Sequence, residues 1–123
     1  MADIWRAYHV KNCRHTKPHK NKFVVIVCRD EEYMGFLVNS AIKQYILKRP
    51  YLLECQVMLS ESDYGFLSHD SYLDCGRIYP FEDGELVVGF ELINDKTKAE
   101  IKTVVSKAKT IEKRYQELIL NSP

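Results

Sequence analysis

The order of apolar and polar residues predicts a mainly β fold of the α+β class. The expected form is a small, strongly curved β-barrel of about five or six short strands, with one short helix inserted and one long helix appended. Three features carry this reading. Lys22 to Cys28, KFVVIVC, is a β-branched apolar run of strand length. The tetrapeptide EDGE at 82–85 contains Asp-Gly, which adopts positive φ readily and signals a hairpin. Ile101, Val104, Val105, Ala108, Ile111, Tyr115, Leu118 and Ile119 recur at helical spacing and form one apolar stripe.

The elements follow in order. Ile4 to Val10, IWRAYHV, alternates roughly at period two and reads as a strand. Lys22 to Cys28 is a buried strand, RDEEYMG a polar turn, and Gly35 to Ser40 the returning strand of a hairpin. Ile42, Tyr45 and Ile46 sit at helical spacing, and Pro50 is expected to end that short helix. Tyr51 to Ser60 alternates and reads as a strand, followed by the loop ESDYGFLSHD. SYLDCGRIYPF is a strand interrupted near Gly76, and LVVGFEL is its partner across EDGE. Thr97 and Glu100 have capping-box spacing at the start of the last helix, with Asn94 as a competing N-cap. The chain reads as one domain, residues 1–123, with a barrel over 1–93 and a helix over 94–121. The helix's long seam calls for a barrel, a partner protein or a second copy to cover it.

The 123 residues suit a single core, and the formal charge is only +1. That balance hides an asymmetry. Before Arg29 stand Arg6, Lys11, Arg14, Lys17, Lys20 and Lys22 against Asp3 alone; the middle is acidic, and the segment after Ile93 is basic again. A local positive face is therefore compatible with near-neutrality. No apolar run is long enough to cross a bilayer, and MADIWRAYHV lacks the apolar core of a signal peptide. The expectation is a cytoplasmic protein with no membrane partner. Cys13, Cys28, Cys55 and Cys75 form no CxxC pair and read as reduced, mostly buried thiols. Cys13, His15, His19 and Cys28 do not have the spacing of a paired-ligand zinc finger, so no metal is assigned.

The order of parts resembles the MazF/PemK-like toxins, and more loosely the ToxN-like endoribonucleases. Lys17-Pro18 precedes the strand Phe23 to Val27, as a basic residue and proline do in that family. Asn39-Ser40 ends the return strand where the family often has a hydroxyl pair. DSYLDCGRI leads through GFEL to the terminal helix. The family's EQxGxRP loop is absent, and CRHTKPHK stands in its place. The resemblance implies an SH3-like barrel and a cytoplasmic toxin. It also implies RNA as substrate, a protein antitoxin as partner and a homodimer. The implied reaction is metal-independent cleavage of single-stranded RNA by the ribose 2′-OH, with no cofactor.

Such a reaction needs a base for the 2′-OH, an acid for the leaving oxygen, and cations around the phosphate. Histidine exchanges protons near neutral pH. Lys17, His19, His15 and Ser40 are accordingly the candidate catalytic residues. Arg14, Lys20, Asn39 and His69 are the candidate substrate contacts. Each has a plainer reading beside it. The basic stretch is equally a solvated loop, Ser40 an N-cap of the short helix, and Ser68-His69-Asp70 a turn with local side-chain bonds. A non-catalytic nucleic-acid- or protein-binding relative with the same barrel is the alternative.

Overall fold

Phe23 to Cys28 are six successive apolar residues, most of them β-branched, and a strand built from them has no polar face to turn to water. In the computed structural model, which describes all residues Met1–Pro123, they form the middle of β2 (Lys20–Asp30). Antiparallel neighbours flank it on both sides, β1 (Arg6–Cys13) and β3 (Glu32–Asn39). The chain continues through α1 (Gln44–Leu47), α2 (Pro50–Leu53), β4 (Gln56–Leu59), β5 (Ser71–Asp74) and β6 (Tyr79–Phe81). A 3-10 turn (Asp83–Glu85), β7 (Val88–Leu92), α3 (Asp95–Lys107) and α4 (Lys113–Leu120) complete it.

One curled antiparallel sheet runs β4-β5-β3-β2-β1-β7, and β6 also pairs with β3. The outer edge of β3 is thus shared. β6 takes Tyr33 to Gly35, and β5 takes Val38 and Asn39. Register shifts between Val10 and Cys13, Arg6 and Tyr8, and Ile26 and Cys28 put an extra residue into β1, β7 and β2 in turn and bend the sheet. The result is a half-barrel. On one face Ala7, Val25, Val27, Phe36 and Val38 pack with Ile101, Val105, Ile111, Tyr115 and Ile119 of the helical segment. On the other, Tyr8, Val10, Val24, Ile26 and Leu37 pack under Phe81 and Leu86.

Several expectations are corrected. The C-terminal segment is not one helix but two, because Ala108 turns extended (ψ 115). The Gln116 side-chain amide in α4 donates to the Val105 and Ala108 carbonyls at 2.9 and 3.1 Å, capping the end of α3 from a distance. The inserted helix is also two short pieces. Pro50 opens α2 instead of ending a helix, since proline at the first turn sacrifices no hydrogen bond. Tyr51 to Cys55 are thereby withdrawn from the expected strand. The EDGE segment is a 3-10 turn without positive-φ glycine, and β6 and β7 pair with β3 and β1 instead of each other. Asn94 caps α3 by accepting from Thr97 N at 2.8 Å, whereas the Thr97 hydroxyl accepts from Tyr64 at 2.9 Å. No helix is long and apolar enough to cross a membrane.

Gly35 of β3 lies opposite Ile26 of β2. A Cβ there would stand 2.7 Å from the Val25 carbonyl oxygen and 2.9 Å from Ile26 Cδ1. Gly35→Ala is therefore expected to destabilise by about 1–3 kcal/mol. Gly84→Ala, with nothing within 4 Å and φ in the ordinary region, is expected to be neutral or stabilising by up to about 1 kcal/mol. Urea titration of both variants checks the contrast.

All four cysteines are buried free thiols. Burial, and secondarily Asp30, pushes the Cys28 thiol up to about 12 from 9.0. Between those values the unfolded chain releases a proton that the folded chain retains. Stability present below pH 9.0 should thus decline as pH rises toward about 12. The urea midpoint, measured from pH 8 upward, should fall less steeply in Cys28→Val than in the unmodified protein.

Candidate functional site

The apolar run of β2 does not reach its first residues, where Lys20, Asn21 and Lys22 precede it. Carrying the Val24–Leu37 pairing two residues outward sets Lys22 against Asn39 at the end of β3. The Lys22 ammonium donates to Asn39 Oδ1 at 2.7 Å. The segment Phe66 to Ser71 closes over these strand ends and leaves a cleft of about 300 Å³. Its lining includes Lys20, Lys22, Phe23, Ser40, Phe66 and His69.

The electrostatics of this end are one-sided. Lys22 is half-buried. Its pKa is lowered, first by loss of water and then by the like charges of Lys20 and Lys43. None of the three lysines belongs to an ion pair. An anion seated here would relieve that repulsion. His69 Nδ1 lies 2.8 Å from the Asp70 backbone oxygen. A carbonyl oxygen only accepts, so Nδ1 carries the hydrogen, and in the neutral ring Nε2 keeps its lone pair. The turn is held by Asp70 accepting from Glu61 N at 2.9 Å and Ser71 donating to the His69 carbonyl at 3.1 Å. Local bonding and exposure of His69 are thus compatible. Ser40 is exposed, and Lys43 is the residue before α1, so Ser40 does not cap that helix.

Phe23 and Phe66 continue the cleft into an aromatic wall. Their ring centres are 5.0 Å apart. Phe90 lies 5.7 and 5.5 Å from them, and His9 lies 5.4 Å from Phe23. All four are partly exposed.

The other candidate residues are placed differently. His15 Nε2 donates to the Pro80 carbonyl at 2.7 Å. Its ring lies 4.7 Å from that of Tyr79 and meets Phe81 edge-on at 5.1 Å. Arg14 donates to the same carbonyl at 3.0 Å and pairs with Glu85 at 3.3 Å. The hydrogen bond to Glu85 raises the Arg14 pKa. Arg14 and His15 therefore fasten β6 and the 3-10 turn across the curl and do not line the cleft. Lys17 and His19 are exposed on the β1–β2 loop, outside the cleft lining, and the Lys17–Pro18 peptide is cis. Of the eight residues singled out from sequence, Lys20, Ser40 and His69 meet in one cleft, and Asn39 is tied to it through Lys22.

Sequence reasoning passed over Lys22 and Lys43. The available signal for Lys22 was its position two residues before Val24, at the strand end beside Asn39. No group of three or more His, Cys, Asp or Glu side chains is arranged to hold a metal ion. No family model matches the chain, and no curated protein matches it.

The two histidines should respond oppositely to truncation. His15→Ala removes a packed ring and a hydrogen bond, and is expected to destabilise by about 1–3 kcal/mol. His69→Ala removes an exposed ring and should leave the unfolding midpoint within about 0.5 kcal/mol of the original. Paired denaturation curves check this.

Proposed function

We propose that the protein binds single-stranded RNA at the cleft formed by the ends of β2 and β3 and the Phe66–Ser71 segment. The supporting observation is the pair of cations without acidic partners, Lys20 and Lys22, in a cleft beside an aromatic wall. Cations without acidic partners suit a phosphate, and partly exposed phenylalanines suit an unpaired base. The half-barrel is read as an SH3-like barrel of the MazF/PemK type, in keeping with the order of strands and the terminal helical segment.

Strand cleavage is a second reading, favoured by the free Nε2 of His69. In it, Nε2 takes the proton from a ribose 2′-OH, and the oxygen attacks the adjacent phosphorus. The bond to the 5′ oxygen breaks, giving a cyclic phosphate and a 5′-hydroxyl end. Lys20 stabilises the non-bridging oxygens. Lys22 gives up a proton more readily than an ordinary lysine, and supplies it to the leaving oxygen. The toxin role, with a protein antitoxin and a homodimer, rests on the family resemblance alone.

Binding of a fluorescent oligoribonucleotide should weaken steeply with salt. Lys20→Met with Lys22→Met should lower both the affinity and the salt slope by about one to two counterions. Retained affinity and slope in that double variant would falsify the binding reading. Cleavage is tested separately in EDTA. Cyclic-phosphate ends that disappear in His69→Ala support it, and intact RNA bound by the folded protein refutes it.

A further inference from the structure

The largest cavity lies away from the lysine cleft. It encloses about 610 Å³ between α2 and the end of α3, over Tyr51, Cys55, Val104 and Ala108, with Lys107, Lys109 and the single acid Glu54 at its rim. A second hollow of about 400 Å³ shares Thr103 and Val104 with it and continues past Val57 and Met58 to Ala99 and Glu100. The two form one groove between a helix and a strand. That strand, β4, is the last in the sheet, so its outer edge has no strand partner. An unpaired edge is a template for another strand.

Natural edges are commonly blunted by lysine, proline or a bulge. β4 reads QVML and has none of these; its protection is its length of four residues, and its pairing with β5 is regular throughout. Met58 and Tyr51 beside it are each 51% exposed. The groove follows α3 from Ala99 to Ala108, a helical rise of about 14 Å. An extended peptide covers that distance in about four residues. Charge sets its direction: two lysines, Lys107 and Lys109, outnumber Glu54 at one end, and Glu100 stands at the other.

We infer that this groove receives an extended acidic–apolar segment of a partner protein. The segment adds a strand to the free edge of β4. One apolar side chain fills the hollow over Cys55, Val104 and Ala108, and an acidic residue meets Lys107 and Lys109. Backbone bonds to the edge supply affinity, and the hollow and the lysines supply selectivity. The inference does not depend on RNA binding at the other site.

The probes are two capped octapeptides with valine at alternate positions, one ending in two glutamates and the other in two lysines. Fluorescence anisotropy should show the glutamate peptide binding about tenfold more tightly than the lysine peptide. The double variant Lys107→Glu, Lys109→Glu changes only exposed side chains and should reverse that preference. Amide exchange should slow at Gln56 and Met58, whose backbone groups face the free edge, in the bound form. Absence of binding by either peptide overturns the inference. So does binding that leaves those amides unprotected, or a preference that survives charge reversal. Sedimentation showing that the free edge is already occupied by a second copy also overturns it.

Discussion

β2 is buried on both faces, and the rest of the architecture answers to that constraint. Val24 and Ile26 turn to one side and Val25 and Val27 to the other, all with no exposed surface. A flat sheet with one helical layer would leave Val24 and Ile26 in water. Exposing each would forgo about 1.5–3 kcal/mol of burial. The sheet resolves this by curling, so that Phe81 and Leu86 cover one face while α3 and α4 cover the other. The three register shifts supply the bend. Trp5 fastens the same turn of structure. Its NH donates to Ile26 and its carbonyl accepts from Ile93, so β2 and the start of the helical segment are joined through one residue.

Curling determines which polar groups are free. Closing it requires β6 to stay against β3, and the β1–β2 loop reaches across to hold it. Arg14 and His15 supply that hold by converging on the Pro80 carbonyl. They are consequently engaged in closure, although their chemistry would suit a phosphate equally well. The open end of the curl lies at the start of β2, where Lys20 and Lys22 stand before the apolar run. Strand ends are also where a sheet stops satisfying its own backbone, so loops gather there. Phe66 to Ser71 is such a loop, and it turns the strand ends into a cleft. Lys22 shows the tension. Its stem lies among half-buried surroundings, and its ammonium is satisfied by a neutral amide instead of a carboxylate.

Much of this was legible in local pattern. The two-faced burial of KFVVIVC, the β2–β3 hairpin, the interruption near Gly76 and most of the apolar stripe from Ile101 to Ile119, Leu118 being exposed, follow from short-range periodicity. What escaped depends on contacts between distant residues. Ala108 to Glu112 contain no glycine or proline, and the stripe continues through Ile111 and Tyr115, so nothing local marks the helix break. The carbonyls freed at the break are met by Gln116, eight and eleven residues further on. The partners of β6 and β7 escaped for the same reason. A turn signal such as Asp83-Gly84 reports local backbone preference, whereas pairing is decided by which edges remain open. His15 and His69 are alike in sequence surroundings, each near hydroxyl and charged neighbours. Only the arrival of Tyr79, Pro80 and Phe81 around His15 separates a packing ring from an exposed one.

The groove beside α3 follows from the same competition between local and distant preference. Tyr51 to Cys55 carry apolar side chains that would extend β4, and a longer β4 would run alongside more of α3. Pro50 instead sits at the first turn of α2, where its fixed φ favours a helix and its missing NH is no loss. The helix draws those residues away from the sheet, so β4 begins only at Gln56. The space they would have filled remains next to Val104 and Ala108, bordered by an edge with no partner. The turn that Pro50 opens thus accompanies both the short edge strand and the hollow beside it. The lysine cleft, in contrast, arises where β2 itself runs out of apolar residues. The two surfaces therefore have separate origins in the chain, and a change at one need not disturb the other.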